Sequence, residues 1–224
     1  PPPRTLSHLP RSPVSRKVRM VLGVKQSPFA PVSEKTWIVG EGFLALNHGG
    51  SVPVFVDEDD SVIAESSAIA EYLEETYPQR PVLPGSAAER AEMRRLALWF
   101  DLKFDAEVTT LVLFEKIDRR LMKLGEPDMA TIRAGLENLN YHMDYLSWLS
   151  EERNWLAGDH FSLADITAAA HISAIDYLGD VPWVHFPHVK DWYVRVKSRP
   201  SFRTILGDFV PGMPPPRTYA DLDF

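Results

Sequence analysis

The stretch that most constrains the fold is Gly158-Asp159-His160-Phe161-Ser162-Leu163-Ala164-Asp165-Ile166, followed by Thr167 and three alanines. Ser162 takes an N-cap position and Asp165 sits three residues on, the spacing of a capping box with Asp in place of the usual Glu or Gln. Phe161 before the cap and Ile166 after it can close a hydrophobic staple across the first turn. Losing such a cap costs about 1 kcal/mol, so the helix has one place to begin. The small, nearly uncharged Thr167-Ala168-Ala169-Ala170 that follows predicts a helix enclosed by other helices rather than lying on a surface. Ser162 and Asp165 are therefore structural, and they mark the centre of an all-helical half.

The rest of that half follows from periodicity. Ala87 to about Leu124 reads as one long amphipathic helix, bent near Thr109-Thr110. Met129 to about Leu149 carries Leu136, Leu139, Met143 and Leu146 at three- and four-residue steps. Val189 to Lys197 and a short turn from Ser201 to Leu206 complete it. The first part of the chain alternates instead. Thr5 to Leu9, Phe29 to Ser33, Val52 to Asp57 and Val62 to Ala64 read as strands, the last two joined by a turn at Asp59-Asp60-Ser61. Ser12-Pro13-Val14-Ser15 opens a helix through Leu22, and Glu65-Ser66-Ser67 opens another to Tyr77. The order βαβαββα predicts a mixed sheet with helices on both faces. The connection from Glu34 to Phe43 is tight for a strand-to-helix crossover and leaves open whether residues are missing there. Pro78, Pro81, Pro84 and Gly85 form a breaker-rich linker. The fold class is α/β plus all-α, divided as 4–78, a linker at 79–86, a helical domain at 87–210, and a tail at 211–224. The tail's Pro211-Gly212-Met213-Pro214-Pro215-Pro216 cannot extend a helix and favours polyproline II, giving a spacer that reaches about 40 Å from Gly212 if extended.

Composition excludes several classes. A net charge of −7 argues against a general nucleic-acid binder, which needs a basic face. No cysteine is present, so disulfides, Cys-ligated zinc and a cysteine nucleophile are out, in keeping with a reducing cytosol. Seven histidines lack clustered carboxylate partners, and no metal is implied. No apolar run approaches the ~18 residues of a spanning helix, so no membrane insertion is expected. The Pro1-Pro2-Pro3 start is read as a cloning remnant, and the segment after it has no signal-peptide pattern. No P-loop, G-x-S-x-G or Gly-rich dinucleotide turn occurs.

Several motifs agree in order with one family. Ser12 to Arg19, Phe43-Leu44-Ala45-Leu46-Asn47, Val52-Pro53-Val54, Glu65-Ser66-Ser67-Ala68-Ile69 and the Ser162–Asp165 cap resemble the glutathione transferase superfamily over roughly residues 4 to 206. The resemblance implies a thioredoxin-like N-terminal domain without its Cys pair. It also implies a glutathione-like pocket of Ser15, Val52, Pro53, Glu65 and Ser66, with Pro53 in the cis form and Ser15 against the sulfur. Chemically this is sensible: a helix N-terminus favours an anion by about 0.3–1 kcal/mol, and a hydroxyl adds a hydrogen bond. Ser15 and Ser66 equally read as plain N-caps, and Pro53 as a terminator of strand pairing. The family commonly has Lys, Arg or Gln before Val52-Pro53 to hold the glycine carboxylate, where this chain has Ser51. Losing a hydrogen bond to a charged group costs about 1.5–3 kcal/mol. The expected consequence is a degenerate site with no catalytic residue, Ser15 being vestigial.

Within the superfamily, three segments resemble glutathione-transferase-like bacterial division proteins that bind FtsZ filaments. These are Ser33-Glu34-Lys35-Thr36-Trp37, Leu113 to Arg120, and the ending Tyr219-Ala220-Asp221-Leu222-Asp223-Phe224. That resemblance implies a homodimeric adaptor in the cytoplasm at the division site, which changes filament curvature and regulates constriction. It implies FtsZ contacts near Trp37 and Glu115, and a tail (Asp221, Leu222, Phe224) that reaches a division or cell-wall synthesis component. Glu115 and Arg119 at i,i+4 also read as a solvated helix face. The alternative is a Ser-type transferase that conjugates glutathione to small electrophiles, with glutathione the only small molecule it would need.

Overall fold

The structure, a computed structural model, describes residues 3–224; Pro1 and Pro2 lie outside it. The first half alternates β1 (Thr5–His8), α1 (Pro13–Lys25), β2 (Ala30–Ser33), α2 (Glu41–Leu46), β3 (Val54–Val56), β4 (Val62–Ala64) and α3 (Ser66–Thr76). The sheet order is β2-β1-β3-β4, with β1 parallel to β2 and antiparallel to β3. A parallel pair needs a crossover, and α1 provides it. Leu6, facing Pro31 on one side and Phe55 on the other, is fully buried beneath that helix. The tight stretch after Glu34 is bridged by the residues present: a turn closed by Ile38 N–H on Lys35 O (2.9 Å) leads to Gly40 and the short α2.

The helical half begins at α4 (Ala87–Leu98), where Ser86 and Glu89 form a reciprocal capping box. The rod continues through wider, π-wound turns at Trp99–Thr109, α5 (Thr110–Leu113), a second wide stretch at Phe114–Asp118, and α6 (Arg119–Leu121). At Thr109-Thr110, where a bend is expected, both residues keep right-handed helical dihedrals and the winding changes from π-type to α-helical. After it come α7 (Met129–Glu152), α8 (Leu163–Tyr177), α9 (Pro187–Lys197) and α10 (Pro200–Leu206). Every residue of α8 is buried, as its alanines require. The Asp165 carboxylate accepts the Ser162 N–H at 2.9 Å, closing the box. It also accepts from Leu156 N (3.0 Å) and Trp192 Nε1 (2.9 Å), tying the helix start to the loop before it and to α9. One hydrophobic core runs through both halves. Lys25 and Glu74 make a buried ion pair (2.5 Å), and Glu74 also accepts the Val82 and Leu83 N–H groups, pinning the linker.

The tail does not project as a spacer. Tyr177 donates to Met213 O (2.7 Å), and Tyr219 is fully buried with its hydroxyl on Ile205 O (3.2 Å). Lys197 Nζ donates to Thr218 O and Asp221 O at 3.0 and 2.6 Å. Phe224 lies against Trp183 (5.3 Å between centroids), with Lys197 Nζ 4.1 Å over its ring. Backbone preference alone favoured extension. Burying one aromatic side chain is worth about 1.5–3 kcal/mol and offsets the ordering of one or two residues, so Tyr219 acts together with the Lys197, Tyr177 and Phe224 contacts in folding the tail back.

Candidate functional site

A cleft of about 410 Å³ lies between the halves, walled by the start of α1, the turn before β3 and the outward face of the long rod. Its floor is set by the Val52–Pro53 peptide, which is cis. Ladder pairing of β3 starts only at Val54, so the Val52 peptide groups stay outside the sheet. Ser12 lines the cleft and Ser15 does not. The reason is helix phase: Ser12 is the N-cap of α1, with Pro13 at the first helical position. Ser15 sits a turn inside, fully buried, its Oγ accepting the Leu9 N–H at 3.2 Å. Ser15 is thus held inside the start of α1, contrary to the expectation that it faces the cleft, and Ser12 is the hydroxyl on the cleft wall. The Ser-Pro pair, an N-cap followed by Pro at N1, is the sequence signal for that position.

Glu65 and Ser66 also take roles other than the simple cap. Glu65 is the N-cap of α3 at φ 74°, with no side-chain cap bond. Its carboxylate accepts from Ser51 Oγ at 3.3 Å, and Asn47 Nδ2 donates to Ser51 O at 2.8 Å. The position where the family commonly has a cation is thus tied up with a carboxylate. Ser66, one residue inside the helix, cannot reach its own first-turn N–H groups; its hydroxyl lies 3.4 Å from Lys17 Nζ.

Lys17 is a component that sequence inspection does not single out. It is fully buried in α1, and its ammonium bridges Ser67 Oγ (3.2 Å) and Asp101 Oδ2 (2.6 Å) across the two halves. Asp101 also contacts His171 Nε2 at 3.0 Å, and His171 Nδ1 meets Thr109 Oγ1 at 3.1 Å. Burial works against ionising Asp101, but His171 and Lys17 outweigh it and hold it below the usual carboxylate range. Lys17 stands at i−4 from Val21 on the flank of the apolar face, a faint signal; its link to residues 101 and 171 is long-range and has none.

The expected partner residues are placed less freely than a surface patch. Trp37 is half-buried, with the Arg11 guanidinium 5.2 Å from its ring centroid; Arg11 pairs with Asp118 at 2.6 Å. Glu115 is buried, and the solvated-face reading fails. Its carboxylate meets Arg119 Nε at 2.8 Å and accepts the Asp128 N–H at 2.7 Å, clasping the start of α7. Asp118 stands three residues after Glu115, so Trp37, Arg11 and Asp118 form a bridge ending one turn from the Glu115 clasp. In the tail, Asp221 is exposed, whereas Leu222 and Phe224 are half-buried, Phe224 against the core of the helical half.

Among the described residues no cluster of His, Cys, Asp or Glu could hold a metal ion, and no helix is long and apolar enough to cross a membrane.

The sheet with its cis Val52–Pro53 turn and the helical half around α8 define the class. Residues 6–81 match the glutathione S-transferase N-terminal domain and residues 133–200 its C-terminal domain, and the chain belongs to the glutathione S-transferase family. It is 49% identical over 224 residues to FtsZ-localized protein A of Caulobacter vibrioides, covering 99% of this chain and 98% of that protein. The solved structure of FzlA from C. crescentus aligns over 100% of both chains, with 48% identity and a TM-score of 0.97. A glutathione S-transferase from Rhodospirillum rubrum F11 is equally similar in shape, with a TM-score of 0.97, 52% identity, and coverage of 99% of this chain and 100% of that one. Maize glutathione S-transferase 3 is 31% identical over 97% of this chain and 99% of its own length.

Proposed function

We propose that this protein is a non-catalytic, homodimeric adaptor of the glutathione S-transferase family that associates with FtsZ filaments at the division site and regulates their curvature. The observation that carries the reading is the full-length similarity to FtsZ-localized protein A. The cleft supports its non-catalytic part: Ser51 and Glu65 satisfy one another where a glycine carboxylate would need a cation. Apolar Leu98 and Leu102, 51% and 66% exposed on the long rod, support pairing with a second copy. Trp37 is the filament contact in this reading, and the exposed Asp221 carboxylate is the part of the docked tail open to a cell-wall synthesis component. The test is co-sedimentation with FtsZ polymers at constant salt. Loss of pelleting on Trp37→Ala, in protein that unfolds normally, is expected; parental pelleting removes Trp37 from the interface.

A second reading is favoured by one specific observation, the position of Ser12. Its hydroxyl sits at the N-terminus of α1 beside the cis Val52–Pro53 peptide, where a thiolate would gain from the helix dipole. Calorimetric titration with glutathione separates the two. Silence at millimolar ligand supports the adaptor, while binding accompanied by thiol conjugation that Ser12→Ala abolishes supports a transferase.

A further inference from the structure

A second junction between the two halves, sharing no lining residue with the cleft, encloses a cavity of about 340 Å³. Gln26, after the end of α1, and Arg80 of the linker stand on one side; Phe161 and Arg199 of the helical half stand on the other. No Asp or Glu lines it. Eight arginines of the chain pair with carboxylates, but among the described residues Arg80 and Arg199 pair with none. They stay unpaired although 31 acidic residues outnumber 24 Lys and Arg.

The two cations are held in different ways. Arg199 is half-buried, its guanidinium 3.8 Å from the centroid of the Phe161 ring. Burial presses its pKa down, and the carboxylate that opposes this, Asp165, is fully buried and already accepts bonds from Leu156, Ser162 and Trp192. A guanidinium partly removed from water without a counterion favours capture of an anion, because part of the desolvation on binding is already met in the folded protein. Arg80 is exposed but not loosely placed. It takes φ 53°, uncommon outside glycine, and Val82 and Leu83 just after it are fixed by their N–H bonds to Glu74. With Arg199 over the Phe161 ring, this wall offers cationic surface where an apolar body would need a bare aromatic face.

We propose that this cavity is a binding site for a compact phosphate dianion, either orthophosphate or the terminal phosphate of a small hydrophilic ester. Two guanidinium forks match its two charges and its tetrahedral oxygens, and the Gln26 amide adds a neutral donor. Because Arg80 and Arg199 come from the linker and the helical half, the bound ion ties one to the other.

The experiment is calorimetric titration of the full chain with orthophosphate at mildly alkaline pH, with ionic strength held constant by chloride. The parent protein binds one phosphate. Arg80→Ala, an exposed position whose loss leaves the fold intact, and Arg199→Ala each weaken binding about tenfold. Arg203→Ala removes the same charge from an exposed position of α10 outside the cavity and leaves the affinity within about twofold. At ten times its dissociation constant, phosphate raises the melting temperature of the parent by about 3 °C and that of Arg80→Ala by less than about 1 °C. Competition by glycerol 3-phosphate identifies the ester as a ligand, and its failure to compete restricts the site to the free ion. Three results overturn the proposal. One is no heat of binding up to about 10 mM phosphate. Another is equal weakening by Arg203→Ala, which would make phosphate an adventitious ion only. The third is tighter binding of octanoate than of phosphate in competition.

Discussion

Reversing the charge of Glu115 separates a structural role from a contact role. Glu115 is 6% exposed, and its carboxylate is paired with Arg119 at 2.8 Å and accepts the Asp128 N–H at 2.7 Å. In Glu115→Lys the hydrogen bond from the Asp128 amide is lost, worth about 1.5–3 kcal/mol for a bond to a charged group. The new ammonium also faces Arg119 across the same gap. Breaking a fully buried pair costs about 3–5 kcal/mol, but Arg119 is 28% exposed and solvent screens part of this. The sum is about 3 kcal/mol, or roughly 6–12 °C in melting temperature for a chain of this size. Glu115→Gln keeps an acceptor for the Asp128 amide and loses about 1 kcal/mol. Thermal and denaturant unfolding of both variants gives the costs directly, and FtsZ co-sedimentation on the same samples shows whether pelleting follows stability. A Glu115→Lys protein within about 0.5 kcal/mol of its parent refutes the clasp.

Asp165→Asn keeps the shape of the α8 cap but turns an acceptor oxygen into a donor toward Leu156, Ser162 or Trp192, and is expected to cost about 3 kcal/mol in urea unfolding. Gly135→Ala places a Cβ 2.6 Å from Val112 Cγ2 and 3.1 Å from Leu111 Cβ, overpacking α7 against the rod by about 1–3 kcal/mol; an unchanged melting temperature contradicts this. Hydrogen bonding from Arg95, and then Arg153, takes the Glu92 carboxyl down to about 2 against burial. Its folded value lies below its unfolded one, so its stabilisation is present above about pH 4.5 and is lost as pH falls toward 2. Glu92→Gln should flatten the acid limb of a stability–pH curve, by about 1–2 kcal/mol after screening.

The sequence by itself determined the elements whose causes are local. The Ser162–Asp165 cap and the alanines behind it announce a buried central helix, because capping and side-chain size act within a few residues. The mixed sheet follows from the order of elements, and the cis Val52–Pro53 turn is what the family resemblance implies; the strand order β2-β1-β3-β4 comes from the tertiary structure. Tertiary structure alone decided which groups the cleft presents and which it seals. Ser12 and Ser15 are the same residue type at one helix start, and it is helix phase, with the Leu9 N–H held on Ser15 Oγ, that leaves the second inside. Glu115 reads as a wet i,i+4 partner until the Asp128 turn closes over it, and the tail reads as a spacer until Tyr219 finds the space beside Tyr177. Lys17, Asp101 and His171 meet across intervals of 84 and 70 residues. The energy of such a meeting depends on burial, which no local pattern of residues records.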